Sequence, residues 1–360
     1  MSYEYSENIL VQQSAANTLR EKLGWETIYA YDTEVLGMHG TLGRTSYNDI
    51  LLTRYTRDAL FRYNDWMTES YADVAVKTLL STIATSNLLK TNEDKYHLIR
   101  DGIPIVTKTP DGTTQTLRAK LIDFTNPENN HFLAVQELKI HGRLYRRRTD
   151  IVGFVNGIPL LFIELKKQNV DIKDAYDCNY TDYLDTIPHL FYYNAFLIIS
   201  NGLEAKIGTL GSKYEFFHEW KRLKEEDPGR VDLETMLLGI CCKQNFLDLF
   251  ENFILFDKSN GNTTKILARN HQYLGVNEAF ESYKHRKLKE GKLGVFWHTQ
   301  GSGKSYSMVF LSQKIRRQLQ VSPTIFTLTN RDELHKPHSA NFPAHRCLGD
   351  VNASPFIPQR

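Results

Sequence analysis

Apolar and polar residues recur with two different periods along the chain, and the change of period divides it. Residues 7–23 carry apolar positions at helical spacing up to Gly24, which predicts an amphipathic helix. The helical period continues from about 46 to 90 and predicts a helical insertion at about 40–92. Residues 107–202 then hold short β-rich runs separated by Pro, Gly and Asn, with one helix predicted over 171–194. A mixed α/β sheet with flanking helices follows.

The pattern changes again after a helical stretch that ends near residue 256. From Asp257 onward it predicts a helix, an apolar strand at Gly294–Trp297, a glycine loop and another helix. We therefore predict a first domain over 1–256 and the beginning of a second over 257–334. Residues 335–360 have no periodicity, and they are typical either of a disordered tail or of an abnormal end left by a frameshift or a cloning scar.

Composition restricts the function classes only weakly. The 360 residues are 41% hydrophobic and 24% charged with a net charge of +2, so any affinity for nucleic acid must come from local basic patches. The apolar runs are far shorter than a membrane span needs, and the first residues lack a signal-peptide pattern, so we expect a cytoplasmic protein with no membrane partner. Four cysteines without C-x-x-C spacing indicate neither a zinc site nor a disulfide framework.

Three charged residues at the end of an apolar hairpin carry the first candidate chemistry. Glu164 and Lys166 end the run "IPLLFIELKK", and Asp150 lies on the preceding strand. Two carboxylates can hold a hard divalent cation, and a nearby lysine can stabilise charge developing on a phosphate. We infer a metal-dependent DNA-cutting site, with solvated charges at a hairpin end as the alternative. The neighbouring Arg146, Arg147 and Arg148 are either phosphate contacts or a solvated charge run.

The hairpin register sets a condition on that site. A strict two-residue turn at Asn156-Gly157 would leave Asp150 and Glu164 on opposite faces of the sheet. A three-residue connection pairs Val155 with Pro159 instead and brings Asp150 across from Glu164. We therefore predict the three-residue, bulged hairpin.

The sequence around these residues resembles the PD-(D/E)xK nuclease superfamily, and within it the nuclease domain of the motor subunit of type I restriction enzymes. The resemblance implies that Asp150 and Glu164 ligate Mg²⁺ and that Lys166 is the catalytic lysine. Tyr183 matches a supporting helix motif, whereas Asn179 stands where the family usually has glutamine. Glu7 resembles an acidic residue that many such nucleases contribute from the first helix, or it is a solvated helix-start glutamate.

A glycine loop between a predicted strand and a predicted helix carries the second candidate chemistry. Loop and helix amides at such a junction form an anion site, and the lysine and the following serine reach the phosphates and Mg²⁺. The sequence therefore predicts ATP binding. The loop residues are Gly301, Ser302, Gly303, Lys304 and Ser305.

Neighbouring motifs resemble superfamily 2 helicases, whose first motif tolerates a residue such as His298 in place of the first glycine. This resemblance implies that residues 257–334 begin a truncated RecA-like P-loop ATPase domain. The same resemblance implies that Gln272, with Arg269 nearby, reads adenine; the alternative is a polar helix start. Residues 332–335 imitate a DExH box but follow Lys304 by too few residues for the intervening strand-helix units.

The order of the two constellations resembles that of a type I restriction motor subunit. The resemblance implies cleavage and ATP-driven movement of double-stranded DNA in a complex with specificity and methyltransferase subunits. We expect this chain to hold a complete nuclease domain and an incomplete ATPase that does not hydrolyse ATP by itself. A nuclease-helicase of a repair or other defence system, or a nuclease-inactive DNA-binding or assembly module, are the alternatives.

Overall fold

The computed structural model describes residues 7–82, 87–109, 111–258, 261–319 and 323–326. The α-helices are α1 (Glu7–Asn17), α2 (Thr53–Tyr63), α3 (Glu69–Leu80), α4 (Leu88–Asp101), α5 (Thr181–Thr186), α6 (Leu233–Ile240), α7 (Lys243–Asn252), α8 (Asn270–Lys284) and α9 (Lys304–Gln318). The strands are β1 (Glu26–Tyr29), β2 (Ile103–Lys108), β3 (Thr114–Ala119), β4 (Phe132–His141), β5 (Arg146–Val155), β6 (Ile158–Leu165), β7 (Phe196–Ser200), β8 (Ala205–Gly208), β9 (Ile254–Asp257) and β10 (Thr264–Leu267). Two π-helical turns adjoin α1 and α5, at Thr18–Lys22 and Ala175–Tyr180.

A six-stranded mixed sheet forms the centre of the fold, in the order β1-β4-β5-β6-β7-β8. β1 runs parallel to β4 and β6 parallel to β7, whereas the remaining neighbours are antiparallel. Every residue of β6 is buried, because neighbouring strands and packed elements cover both its faces. The mixed α/β fold with flanking helices is thus confirmed.

The β5–β6 hairpin turns through two residues, and the predicted three-residue connection is wrong. Val155 pairs with Ile158, not with Pro159. Asn156 and Gly157 have φ of +50° and +80°. Positive φ at both turn positions belongs to the type I′ turn, whose twist matches that of the flanking strands and which Asn-Gly favours. The local turn preference therefore prevailed.

A bulge on β6 corrects the register that this turn imposes. Leu160 is an extra residue that pairs with nothing across the hairpin, because the pairing shifts by one position beside it. The ladder then runs to the pair Ile151–Ile163. Counting one residue further places Asp150 across from Glu164. The two acids therefore face each other as predicted, but because of the bulge at Leu160 and not because of a three-residue turn.

A loop before α2 covers the part of β4 that β1 leaves unpaired. Arg44 is buried, forms a two-point ion pair with Glu34 (2.8 and 2.5 Å), and donates from Nη2 to the carbonyl of Lys139 at 3.0 Å. The amide of His141 donates to the carbonyl of Tyr47 at 3.1 Å. These contacts satisfy backbone groups that would otherwise form an open sheet edge.

The helical insertion begins later and ends later than its sequence pattern predicts. Residues 46–52 are not helical, and α4 extends to Asp101, where Gly102 follows with φ +82°. Thr68 and Asn87 cap α3 and α4 by accepting from backbone amides in the first turns. Capping at these positions, rather than apolar spacing alone, sets the helix starts. None of the described helices is long and apolar enough to cross a membrane.

The chain separates into two compact units, one formed by Met1–Leu255 with Lys265–Leu274 and the other by Phe256–Thr264 with Gly275–Arg360. In the second unit the predicted strand at Gly294–Trp297 is absent, and Val295 and Trp297 are largely exposed. A strand needs hydrogen-bonding neighbours, and no described residue pairs with this segment. The strand prediction is wrong for this chain, while the helix after the glycine loop is present as α9.

Candidate active site

Glu164 lies at the end of the buried strand β6, and its carboxylate faces two different environments. Its exposure is only 1%. Oε1 accepts a hydrogen bond from Asn179 Nδ2 at 2.5 Å. Oε2 is buried and meets no donor among the described residues. A buried carboxylate oxygen without a partner is costly and is typical of a position that takes an ion or ligand.

Asn179 connects Glu164 to Lys166. Its Oδ1 accepts from Lys166 Nζ while its Nδ2 donates to Glu164. Asn179 belongs to the π-helical turn Ala175–Tyr180, a rare helical form that often occurs at functional sites. The shorter side chain at this position therefore reaches both the acid and the lysine.

Asp150 is fixed through both its side chain and its backbone. Oδ2 accepts from the amide of Leu165 at 2.7 Å, and the carbonyl of Asp150 accepts from Gln12 Nε2 at 2.8 Å. The carboxylate therefore points across the hairpin toward the end of β6. Gln12, on α1, is 5% exposed and ties the first helix to this strand.

The two acids disfavour each other's ionisation. Burial raises the pKa of Asp150 to about 6, against the lowering effect of the Leu165 amide. Burial and then the charge of Asp150 raise the pKa of Glu164 well above its usual range, while Lys166 and Asn179 oppose that shift. Each carboxylate thus lies within the electrostatic reach of the other and of the lysine.

Tyr183 supports the backbone beside Asp150. Its hydroxyl donates to the carbonyl of Arg148 at 3.0 Å, and its ring packs edge-on against Phe162 with ring centroids 5.8 Å apart. Burial, and then the charges of Glu164 and Asp150, raise the pKa of this phenol. The phenol therefore remains neutral and acts as a donor.

The three arginines before Asp150 have different surroundings. Arg146 is exposed. Arg147 forms a two-point ion pair with Asp182 on α5, at 2.5 and 2.8 Å. Arg148 pairs through Nε with Glu137 and lies over the ring of Tyr31, 4.5 Å from its centroid. Glu7 is the first residue of α1, and its side chain lies outside the described residues.

Sequence reasoning missed Glu137 and Gln12. Glu137 lies in the middle of β4, in the run "FLAVQELKI", and its signal is a carboxylate within an otherwise apolar central strand. Gln12 gives no such signal, because glutamine on an amphipathic helix is usually solvated. Within the described ranges no group of three or more His, Cys, Asp or Glu side chains is arranged to hold a metal ion.

The glycine loop of the second unit lies at the start of α9. Gly301 and Gly303 have φ of +80° and +82°, which favour glycine, and Gly303 caps the helix. Lys304 Nζ donates to the carbonyls of His298 and Thr299 at 2.6 and 3.1 Å. The lysine therefore folds back onto its own loop. Ser302 is partly buried and Ser305 is the second residue of the helix.

Gln272 and Arg269 lie in the first unit, at the start of α8. Gln272 is 3% exposed, and its Oε1 accepts from the backbone amide of Arg269 at 2.9 Å. Arg269 lines a cavity together with Lys221, Arg222 and His271. The glutamine side chain thus closes the helix start, and its contact with adenine stays a prediction. The DExH-like residues Asp332, Glu333 and His335 lie outside the described residues.

Comparison with known proteins gives two family matches. Residues 4–216 match the family described as type I restriction enzyme R protein N terminus. Residues 271–354 match the SWI2/SNF2 ATPase family. The second match includes most of the segment 335–360, for which the periodicity predicted an irregular tail.

Two similar curated proteins are both named as endonuclease subunits of type I restriction enzymes. The chain is 36% identical over 327 residues to the type I restriction enzyme HindI endonuclease subunit of Haemophilus influenzae, covering 87% of this chain and 30% of that protein. It is 29% identical over 361 residues to the putative type I restriction enzyme MjaIXP endonuclease subunit of Methanocaldococcus jannaschii, covering 91% and 33%. The chain therefore spans about a third of the length of these relatives.

Proposed function

Since the chain belongs to the type I restriction enzyme R protein family, we propose that its first unit is a divalent-cation-dependent DNA endonuclease. The cleavage site consists of Asp150, Glu164 and Lys166, with Asn179 and Tyr183 in support. In this proposal residues 1–256 form the nuclease domain and residues 257–334 begin an ATP-dependent motor domain. Double-stranded DNA is the substrate.

The observation that carries the proposal is the chain of contacts from Lys166 through Asn179 to Glu164, with Asp150 across the hairpin. It joins an amine to one of two facing carboxylates. Phosphodiester hydrolysis needs both kinds of group at one place. A solvated hairpin end would not explain why Glu164 is buried while Oε2 has no donor among the described residues.

The residues present fit a hard divalent cation such as Mg²⁺. Glu164 Oε2 is a buried carboxylate oxygen with no described hydrogen-bond donor, and Asp150 supplies a second oxygen donor from the facing strand. Carboxylate oxygens are the ligands that Mg²⁺ prefers. Asp150 and Glu164 are the residues that would hold it. When bound, the cation supplies Lewis-acid polarisation of the phosphate and a more acidic water.

The protein side chains perform the remaining tasks. Asn179 directs Glu164 Oε1 by donating to it, which leaves Oε2 for the cation, and it holds the Lys166 amine on the same side. The Leu165 amide fixes the rotamer of Asp150. Tyr183 holds the β5 backbone two residues before Asp150. Lys166 then stabilises negative charge that develops on the scissile phosphate.

The test is nicking of supercoiled plasmid by the full chain with and without Mg²⁺. We expect nicking that requires the cation and is lost in Glu164→Ala and in Lys166→Ala. Lys213 and Glu215 form an exposed pair elsewhere on the same unit, so Lys213→Ala and Glu215→Ala are matched controls that should nick normally. Nicking that survives Glu164→Ala would contradict the proposal.

The second unit supports the motor part of the proposal through the SWI2/SNF2 ATPase match and the loop Gly301–Ser305. Lys304 and Ser305 would contact the phosphates of ATP and its Mg²⁺. We propose that the whole enzyme moves DNA with ATP and acts with methyltransferase and specificity subunits in the cytoplasm. The names of the relatives favour restriction over a repair nuclease-helicase.

A further inference from the structure

Glu137 has an unusual backbone conformation in the centre of the sheet. Its φ is +57°, a value that residues other than glycine, asparagine and aspartate rarely adopt. Asp32, Asn156 and Glu290 share a positive φ but lie in turns or loops, whereas Glu137 lies inside β4. Such strain persists where the surrounding structure enforces it, and it often accompanies function.

The distortion lies directly opposite Asp150. β4 pairs with β5 at Gln136–Ile151 and again at Leu138–Thr149, and the ladder skips the pair between them. That skipped pair is Glu137 and Asp150. Glu137 therefore lies beside Asp150 at the proposed cleavage site, although the backbones of these two residues do not pair in the ladder.

The partner of Glu137 is Arg148. Glu137 is 13% exposed at its side chain and binds the Nε of Arg148, whose own side chain is 50% exposed. The ring of Tyr31 lies under the guanidinium, 4.5 Å from its carbon. Lys139, which pairs with Asp32 at 2.6 Å, also approaches this ring. The arginine is thus held from two directions.

Among the described residues, the contacts that hold Arg148 leave N–H donors of its guanidinium available. A guanidinium has five N–H donors, and the ion pair with Glu137 uses the one on Nε. The half-exposed side chain can present the rest to a phosphate, which arginine binds at two points. Arg148 is two residues from Asp150, so a phosphate bound there lies next to the two acids.

We propose that Glu137 is a positioning residue for DNA cleavage, which holds Arg148 against Tyr31 so that the guanidinium receives a phosphate of the strand being cut. The inference rests on the proposed nuclease function and adds to it a residue that acts through another. The positive φ re-aims the Glu137 side chain toward Arg148. Fixing the arginine in advance lowers the entropy lost when DNA binds.

The test uses Glu137→Asp, which keeps the charge and suits a positive φ but shortens the side chain by one methylene. Glu290→Asp is the matched control, because Glu290 also has a positive φ (+52°) but is exposed in the second unit. Arg148→Ala and the double variant complete a thermodynamic cycle. Affinity for a short fluorescein-labelled duplex is measured in EDTA by anisotropy, and plasmid nicking is measured with Mg²⁺ under single turnover.

Arg148→Ala should weaken duplex binding about tenfold, as expected for one lost charge-assisted contact. Glu137→Asp should weaken it about threefold and slow nicking about tenfold at saturating DNA, since a small misplacement near the reacting atoms is costly. Within the Arg148→Ala background, Glu137→Asp should have no further effect on either readout. Glu290→Asp should match the wild type in both, and all variants should keep the wild-type thermal melting.

Two results would overturn the inference. Equal losses from Glu137→Asp in the wild-type and Arg148→Ala backgrounds would show that Glu137 acts on its own, for instance on the cation. No loss in either readout would show that the pair is only structural. If Glu137→Asp and Arg148→Ala are coupled in DNA binding but the wild-type protein never nicks plasmid, the proposed nuclease function is contradicted. Glu137 then remains a residue that positions Arg148 for DNA binding.

Discussion

Asn179 Nδ2 donates to Glu164 Oε1 across 2.5 Å, from a π-helical turn to the end of a buried strand. The contact explains how a side chain shorter than the family's usual glutamine can serve the same place. It also fixes which oxygen of Glu164 remains without a described donor. The departure from the family pattern therefore does not favour an inactive module.

Asn179→Asp should abolish nicking, because it replaces a donor to Glu164 with a like charge. Asn179→Ala should lower the nicking rate by roughly ten- to a hundredfold through loss of positioning alone. The measurement is Mg²⁺-dependent plasmid nicking by each purified variant. Asn129 donates to Asp123 at 2.8 Å on an exposed surface, so Asn129→Asp is the matched control. An active Asn179→Asp variant would refute the role given to Asn179.

Gly157→Ala should destabilise the first unit much more than Gly112→Ala. Both glycines have a positive φ, +80° and +83°. A Cβ at Gly157 would lie 2.3 Å from the carbonyl oxygen of Leu52, whereas no described residue beyond the chain neighbours lies within 4 Å of one at Gly112. We expect about 1 kcal/mol for the backbone strain alone and roughly 3 kcal/mol or more where the clash adds to it. Urea unfolding measures both, and equal losses would contradict the role of close packing.

The stability of the first unit should rise with pH above about 8 because of Lys95. Burial lowers the pKa of Lys95 to about 8, and its Nζ donates to the carbonyls of Thr78, at 3.2 Å, and Ser81. The unfolded chain, with an ordinary lysine pKa near 10.5, binds more protons between those two values. Stability therefore rises with pH across that window, by at most roughly 1.4 kcal/mol per pH unit.

Lys95→Met should remove that part of the pH dependence. The measurement compares urea unfolding of the two proteins at pH 7.5 and pH 9.5. Lys77 is an exposed lysine of the neighbouring helix α3, so Lys77→Met is the control. If the unfolding free energy of Lys95→Met rises with pH as steeply as that of the wild type, the effect belongs to other groups.

The chain should bind ATP weakly and should not hydrolyse it. Lys304 bonds to its own loop, and Val295 and Trp297 beside the loop are exposed rather than held in a sheet. Preorganised loop amides are what make such a site tight. Fluorescence of a trinitrophenyl-ATP probe should show weak binding that Lys304→Ala removes and Lys292→Ala does not. Steady phosphate release by the wild-type chain would contradict this expectation.

The sequence by itself determined the chemistry of the site and the kinds of elements that carry it. Apolar runs bounded by turn residues predicted the strands β4 to β7, and the two acids with the lysine stood at the open end of the β5–β6 hairpin. These properties are local, because a few consecutive residues are enough to define side-chain type and periodicity. The glycine loop and the helix after it were predictable for the same reason.

Only the tertiary structure decided how those residues meet. The two-residue turn at Asn156-Gly157 alone would have separated Asp150 from Glu164, and the bulge at Leu160 restored their alignment. The distortion at Glu137, and the missing strand at Gly294–Trp297, likewise depend on which segments pair. Pairing is set by competition among distant backbone and packing contacts, so no short stretch of sequence contains it.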